Sequence, residues 1–401
     1  MSSHDAGQPN VGMRLIAPNE GNAAIAQTFA PGEADQPSSE PILEAVHLKK
    51  NFALGAVKWF GAARAVQAVE DTSLALYPGK ATALVGESGS GKTTVARLLA
   101  RLYEPTSGSI RFQGASASRG YRAVRAYRRH VQYIFQDPFS SLNPVHGVRY
   151  HLARALRLHG YVRNAQDERQ QILVLLERVN LTPAGQFIDK FPHQLSGGQR
   201  QRIAIARSLA VRPSVILADE PVSMLDVSIR LDVLNLLLRL KEEDELAFLF
   251  ITHDIASARY FAEETLVMYA GQMVEGGPTE EVIQHPRHPY TQLLLSAAPD
   301  PDTMGHRQAG SGVSAATPYV RGEPPSLINP PTGCRFHPRC PSAMPVCSQR
   351  RPARTDLGNG HWTHCFLYSD GMPSDAGASS QSEASVGMFL TTSIDNEQEN
   401  R

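Results

Sequence analysis

Long apolar runs are missing from this 401-residue chain. No stretch approaches the roughly 18 uninterrupted apolar residues that a membrane-spanning helix needs, so helical membrane spans are excluded. Net charge is missing too: 39 basic residues balance 39 acidic ones. Such a balance offers no surface for nucleic acid or for an anionic membrane. The short basic cluster around Arg122 and Arg125, bounded by Arg119 and Arg129, is read as the solvated face of a helix. The first residues lack a charged head followed by an apolar core, so no secretory signal is expected and the protein should be soluble and cytoplasmic. Cysteine is scarce as well, with four residues and none before position 334.

What is present divides the chain. Residues 1–40 and 371–401 are rich in small and polar residues without apolar periodicity, and both are expected to be disordered tails. Between them, the length suits one large domain with appendages. The alternation at Ile42, Leu43, Glu44, Ala45 and Val46 is that of an edge strand opening the folded part.

The segment Gly86, Glu87, Ser88, Gly89, Ser90, Gly91, Lys92, Thr93 fits the phosphate-binding pattern G-x-x-x-x-G-K-[ST]. It lies between a short apolar run (residues 82–85) and a helix-like stretch that begins at Thr94. Glycines let backbone N–H groups turn inward onto phosphate oxygens, and the helix N-terminus adds its positive end. Lys92 can reach the β- and γ-phosphates, and the Thr93 hydroxyl can ligate Mg²⁺. Further on, residues 215–220 read as a buried parallel strand ending in Asp219 and Glu220, and ligands of open α/β sheets bind at such carboxyl ends. Asp219 suits a Mg²⁺ ligand, and Glu220 a general base for an attacking water.

The order phosphate loop, Gln136, Leu195-Ser196-Gly197-Gly198-Gln199, Asp219-Glu220 and His253 resembles the nucleotide-binding subunit of an ATP-binding-cassette transporter, from about residue 41 to 365. The resemblance implies a P-loop NTPase-type α/β fold: a parallel-sheet core with an antiparallel β subdomain, an inserted helical subdomain and a C-terminal cysteine-bearing extension. It places the cassette at residues 41–296, the helical subdomain at about 138–212 and the extension at 297–370. It also implies that Ser196, Gly197, Gly198 and Gln199 cap the γ-phosphate held by the opposite subunit of a head-to-tail dimer. Gln136 then senses Mg²⁺ and the attacking water, His253 contacts the γ-phosphate, and Met224, Leu225 and Asp226 couple the two sites, with Met224 in place of the family's usual small residue. An aromatic should stack on adenine. Phe52 is the choice, with Trp59 and Phe60 as competitors.

Residues 136–144, 288–294 and 322–326 are especially similar to the oligopeptide and dipeptide importer branch. For that branch the resemblance implies an ATPase subunit at the cytoplasmic face of the membrane. Its partners would be a second, different ATPase subunit, two permease subunits that the helical subdomain docks, and indirectly an extracytoplasmic solute-binding protein. A soluble cassette ATPase of DNA repair or translation is the alternative class, disfavoured by the single cassette and the absent heptad insertion. An exporter subunit is disfavoured by the tail beyond His288. Nickel and oligosaccharides are alternative solutes.

All four cysteines, Cys334, Cys340, Cys347 and Cys365, fall in the extension. Clustered cysteines in a cytoplasmic protein point to metal or redox chemistry before disulfides. Four thiolates suit zinc or a [4Fe–4S] cluster, and Cys-x-x-Cys knuckles are absent. The importer resemblance implies [4Fe–4S]; zinc, with His337 or His364 as substitute ligands, and four free thiols remain open. A proline-rich stretch (residues 299–331) is too poor in apolar residues for a core of its own, so the thiolate site should clamp it. Cys340→Ser is expected to loosen the extension and leave nucleotide binding nearly intact.

Overall fold

The computed structural model describes residues 40–54, 64–117, 120–297 and 322–369. The tail expectations for 1–39 and 371–401 lie outside the described residues, as do Trp59, Phe60, Arg119 and most of 299–331. Twelve strands occur among the described residues: β1 (Leu43–Ala53), β2 (Ala65–Leu76), β3 (Ala81–Val85), β4 (Ser107–Phe112), β5 (Ala115–Ser116), β6 (Val131–Ile134), β7 (Val215–Asp219), β8 (Ala247–Thr252), β9 (Glu264–Tyr269), β10 (Gln272–Pro278), β11 (Thr355–Gly358) and β12 (His361–Thr363). They form a four-stranded sheet in the order β2-β1-β4-β5 and an eight-stranded sheet in the order β11-β12-β10-β9-β3-β8-β7-β6.

β1 pairs antiparallel with β2 on one side and β4 on the other. It is therefore an inner strand, contrary to the edge position expected of it. Its alternating burial arises because one face of this sheet packs on the core and the other is open. Alternation reports which face is buried; it says nothing about the number of neighbours.

In the larger sheet β3, β6, β7, β8 and β9 run parallel. Every residue of β3, β7 and β8 is buried, because a parallel sheet is covered on both faces. One face packs with the small sheet around the helix Lys92–Leu99, through Leu43, Leu76, Val95, Leu98, Leu217 and Ile251. On the other face Phe248 and Phe250 meet Ile203 and Leu237 from the helices Gly197–Leu209 and Val227–Glu243.

The helices Val148–Leu158 and Ala165–Arg178 stand between β6 and the helix Gly197–Leu209. Asn164 caps the second of them by accepting the Asp167 N–H at 2.9 Å. Glu168 is 2 % exposed and pairs with Arg157 and with Arg149, the latter at 3.3 Å. These two arginines, led by the Arg157 hydrogen bond, hold its carboxyl below the usual range.

The extension carries more regular structure than its proline content suggests. β11 and β12 form a hairpin, and β12 pairs with β10, lengthening the main sheet. Glu275, fully buried on β10, accepts the N–H groups of Arg287 (2.7 Å) and His288 (2.9 Å) and pairs with His361 Nε2 (2.7 Å). One buried carboxylate thus ties together three segments of the chain.

Candidate nucleotide site

The loop after β3 turns where only glycine fits. Gly86 has φ +150°, and a Cβ there would stand 2.1 Å from the Met268 carbonyl oxygen. At Gly91, φ +109°, it would stand 2.4 Å from that of Ala68. No side chain caps the helix Lys92–Leu99, so its first N–H groups face the loop and suit an anion. Ser88 and Gly89 are exposed at the rim and Ser90 is buried. Lys92, 5 % exposed, donates to the carbonyls of Gly86 (2.6 Å) and Glu87 (2.8 Å). Burial lowers its pKa, and the charges of Glu220, Asp219 and Glu87 act the other way.

At the carboxyl end of β7, Asp219 accepts hydrogen bonds from Thr93 Oγ1 (3.0 Å) and Tyr133 Oη (2.6 Å). Burial raises its pKa, and the two hydroxyls counter that shift. Two hard oxygen donors this close suit Mg²⁺ in number and kind. Glu220 follows in the left-handed region, φ +47°, and its N–H donates to the Ile251 carbonyl at 3.0 Å. Its Oε2 accepts from Gln136 Nε2 at 2.9 Å and lies 3.4 Å from His253 Nδ1. Loops after β6, β7 and β8 thus bring Gln136, Glu220 and His253 into one group beside the phosphate loop. Such a group can orient a water and accept its proton.

Ser196 caps the helix Gly197–Leu209 reciprocally. Its hydroxyl accepts the Gln199 N–H (3.3 Å), and Gln199 Oε1 accepts the Ser196 N–H (3.1 Å). A Cβ on Gly198 would lie 2.5 Å from Ile229 Cγ2, whereas one on Gly197 would meet Leu225 Cδ2 at 3.7 Å. Among the described residues, no hydrogen bond or ion pair joins 196–199 to 86–93. Met224 is 57 % exposed just before Leu225, and Asp226 opens the helix Val227–Glu243. Phe52 is half-buried, with its ring edge-to-face on Tyr103 at 5.4 Å and Lys50 Nζ 5.0 Å above it.

The four cysteines line one cavity of about 10 Å³ together with His288, Phe336, His337 and Phe366. Burial pushes three of the thiols up: Cys334, Cys340 to about 11 and Cys365 to about 12. His337 Nδ1 bonds the Cys334 carbonyl (2.8 Å) and His364 Nδ1 that of Pro352 (3.1 Å). Among the described residues no three His, Cys, Asp or Glu side chains stand close enough to hold a metal ion as they are placed. The convergence answers the donor count; the spacing does not yet make a coordination shell.

Sequence reasoning missed the contacts beneath the phosphate loop. Tyr133, Tyr290 and Arg339 each hydrogen-bond a residue of the site. Only fold topology brings the last two there, since they lie some 200 residues or more from Glu87 in sequence.

A glycine cradle on a parallel-sheet core, with Asp219, Glu220, Gln136 and His253 at neighbouring strand ends, defines an ATP-hydrolysing cassette. Residues 69–223 match the ABC transporter family, and residues 274–347 match the oligopeptide/dipeptide transporter C-terminal region. The oligopeptide transport ATP-binding protein AppF of Bacillus subtilis (strain 168) is 41% identical over 334 residues, 83% of this chain and 99% of that protein. The dipeptide transport ATP-binding protein DppF of Escherichia coli (strain K12) is 41% identical over 330 residues, 82% of this chain and 94% of that protein. Among solved structures, cbiO1 from Clostridium perfringens, part of the ABC transporter complex cbiONQ, aligns with TM-score 0.53 at 25% identity over 62% of this chain and 92% of that one. The cassette MJ0796, in a dimeric post-hydrolysis state bound to ADP and Pi, aligns with TM-score 0.53 at 28% identity over 59% and 98%. The chain belongs to the ATP-binding proteins of ABC transporters, and its nucleotide is ATP with Mg²⁺.

Proposed function

We propose that this chain is the ATP-hydrolysing subunit of an importer for oligopeptides or dipeptides, working at the cytoplasmic face of the membrane. The observation that carries this reading is a succession within one chain: a nucleotide cassette followed by an oligopeptide/dipeptide transporter C-terminal region. No helix among the described residues is long and apolar enough to cross a membrane, so the reading requires two permease subunits. A second, different ATPase subunit and an extracytoplasmic solute-binding protein complete it.

In this reading the N–H groups of residues 86–94 and Lys92 bind the phosphates, and Phe52 is the platform for adenine. Thr93 and Asp219, with Gln136, would hold Mg²⁺, which would supply charge neutralisation for the phosphates. Gln136 and His253 orient the attacking water and the γ-phosphate, and Glu220 accepts the water's proton. Ser196, Gly197, Gly198 and Gln199 bind the ATP held by the companion subunit. Catalysis is then mainly positioning and charge stabilisation completed across a dimer.

The cysteines form a second part of the proposal. Four sulfurs around one cavity suit a [4Fe–4S] cluster in ligand number and softness, and zinc is the competing occupant. Because burial raises the pKa of Cys334, Cys340 and Cys365, loading must release protons and rearrange the side chains. Absorbance of anaerobically purified protein near the iron–sulfur charge-transfer band tests this; a colourless protein with stoichiometric zinc overturns it.

The transport reading is tested by co-purification with two membrane proteins and by peptide-stimulated ATP hydrolysis in the reconstituted complex. Stimulation by nickel or an oligosaccharide alone would reassign the solute. Purification with no membrane partner would favour a soluble ATPase.

A further inference from the structure

The phosphate loop contains an acidic residue, Glu87, in a place meant for a polyanion. Carboxylate and triphosphate repel one another at close range, all the more where burial lowers the effective dielectric. The structure answers this with a cation from the cysteine-bearing extension. Arg339 grips Glu87 with both guanidinium nitrogens, Nη1 to Oε2 at 3.0 Å and Nη2 to Oε1 at 3.2 Å. The Arg339 side chain is only 11% exposed and that of Glu87 28%. Nη1 also donates to Tyr269 Oη at 3.2 Å, which fixes the fork in place. From the same side, the Glu87 N–H donates to Tyr290 Oη at 2.8 Å, so Glu87 is held by backbone and side chain alike.

A second arginine from the same turn braces the loop elsewhere. Arg335, 4% exposed, donates through Nη1 to the Ala270 carbonyl and through Nη2 to Gln67 Oε1 at 2.7 Å. The next residue, Gly271, gives its N–H to the Ser90 carbonyl at 2.7 Å. Between the two arginines, fully buried Phe336 packs edge-on against Tyr269 at 5.2 Å and tilted against Tyr290 at 5.5 Å. The turn bearing Cys334 and Cys340 is therefore seated directly beneath the nucleotide cradle.

We propose that Arg339 is a positioning residue for ATP: it neutralises Glu87 and draws its carboxylate away from the phosphates, so that nucleotide affinity depends on the seating of the extension. The inference rests on residues 86–93 being the nucleotide cradle. It also revises the expectation that disturbing the extension leaves ATP binding nearly intact, because the extension supplies a charge to the loop itself.

The experiment is titration of the full-length protein with a fluorescent ATP analogue and Mg²⁺, in five variants beside the natural chain. Arg339→Ala should raise Kd at least about tenfold, as expected for a carboxylate left unpaired beside a polyanion. Arg339→Lys should restore part of that loss. In the Glu87→Gln background, adding Arg339→Ala should change Kd less than about twofold, since there is no carboxylate left to neutralise. A loss that persists at full size in that background would reduce Arg339 to a packing role and overturn the proposal. An unchanged Kd in Arg339→Ala would also overturn it. Thermal melts of each variant separate misfolding from lost affinity; if Arg339→Ala does not fold, the Arg339→Lys and Glu87→Gln pair carries the comparison. Lys92→Ala serves as the reference for the site, and tight binding by that variant would mean the cradle itself is misassigned.

Discussion

Replacing Glu220 by glutamine separates chemistry from binding, and the geometry says by how much. The glutamine is nearly isosteric, and its Oε can still accept the Gln136 Nε2–H that now lies 2.9 Å from the carboxylate. The backbone stays anchored by the Glu220 N–H on the Ile251 carbonyl. What disappears is the ability to take a proton, and general-base assistance is worth roughly 10²- to 10⁴-fold in rate, or about 3 to 5 kcal/mol. The charge change acts in the opposite sense on binding. Glu220 is the foremost carboxylate favouring the charged form of Lys92, yet in the proposed site it would also face the γ-phosphate, and removing that negative charge relieves repulsion. ATP affinity should therefore hold or improve while turnover falls by at least a hundredfold. Phosphate release in a single-turnover experiment, with the companion subunit present and ATP saturating, measures the chemical step free of product release. A rate within about threefold of the natural protein would refute Glu220 as the base.

Three further outcomes follow from particular contacts. Gly198→Ala should lose about 1 to 3 kcal/mol of stability, because its methyl would press to 2.5 Å from Ile229 Cγ2 on a β-branched side chain; Gly197→Ala, which meets only Leu225 Cδ2 at 3.7 Å, should melt within a degree or two of the natural chain. Glu168, held below its ordinary pKa of 4.5 by Arg157 and Arg149, contributes stability that is present above that value and lost as pH falls through the lower folded value. The urea midpoint should thus drop between pH 6 and pH 3.5, and the drop should be smaller in Glu168→Gln; equal drops would contradict the assignment. Cys340→Ser should lose iron or zinc on elemental analysis and also weaken ATP binding, since Cys340 follows Arg339 directly; unchanged metal content would remove Cys340 from the ligand set.

How far the sequence spoke depended on whether the chemistry was local. The cradle is contiguous, and Asp219-Glu220 closes an apolar run that only a buried strand explains, so loop, helix and carboxylates were all legible. β7 does lie between β6 and β8, parallel to both, as its continuous apolar residues required. The inner position of β1 was not legible, because alternation encodes one buried face and carries nothing about neighbours. The hairpin of β11 and β12 was hidden for a related reason: seven strand residues in a proline-rich region gain their pairing from β10, far away in the chain. In sequence, Arg335 and Arg339 are two arginines between Cys334 and Cys340, with no motif to mark them. Their role depends on Phe336 entering the core against Tyr269 and Tyr290, a contact that no spacing announces. The gathering of four cysteines was half legible, in that clustering suggested a site and the fold gave its single cavity.

The most direct test concerns the proposal that residues 196–199 bind the nucleotide held by residues 86–93 of a second ATPase subunit. Sedimentation of the Glu220→Gln protein, mixed with the second ATPase subunit of the proposed importer, measures whether ATP joins them. The account predicts a two-subunit species that forms with ATP and is lost when Gly197→Asp places a negative charge in the cap. A single-subunit mass with ATP demonstrably bound would contradict it.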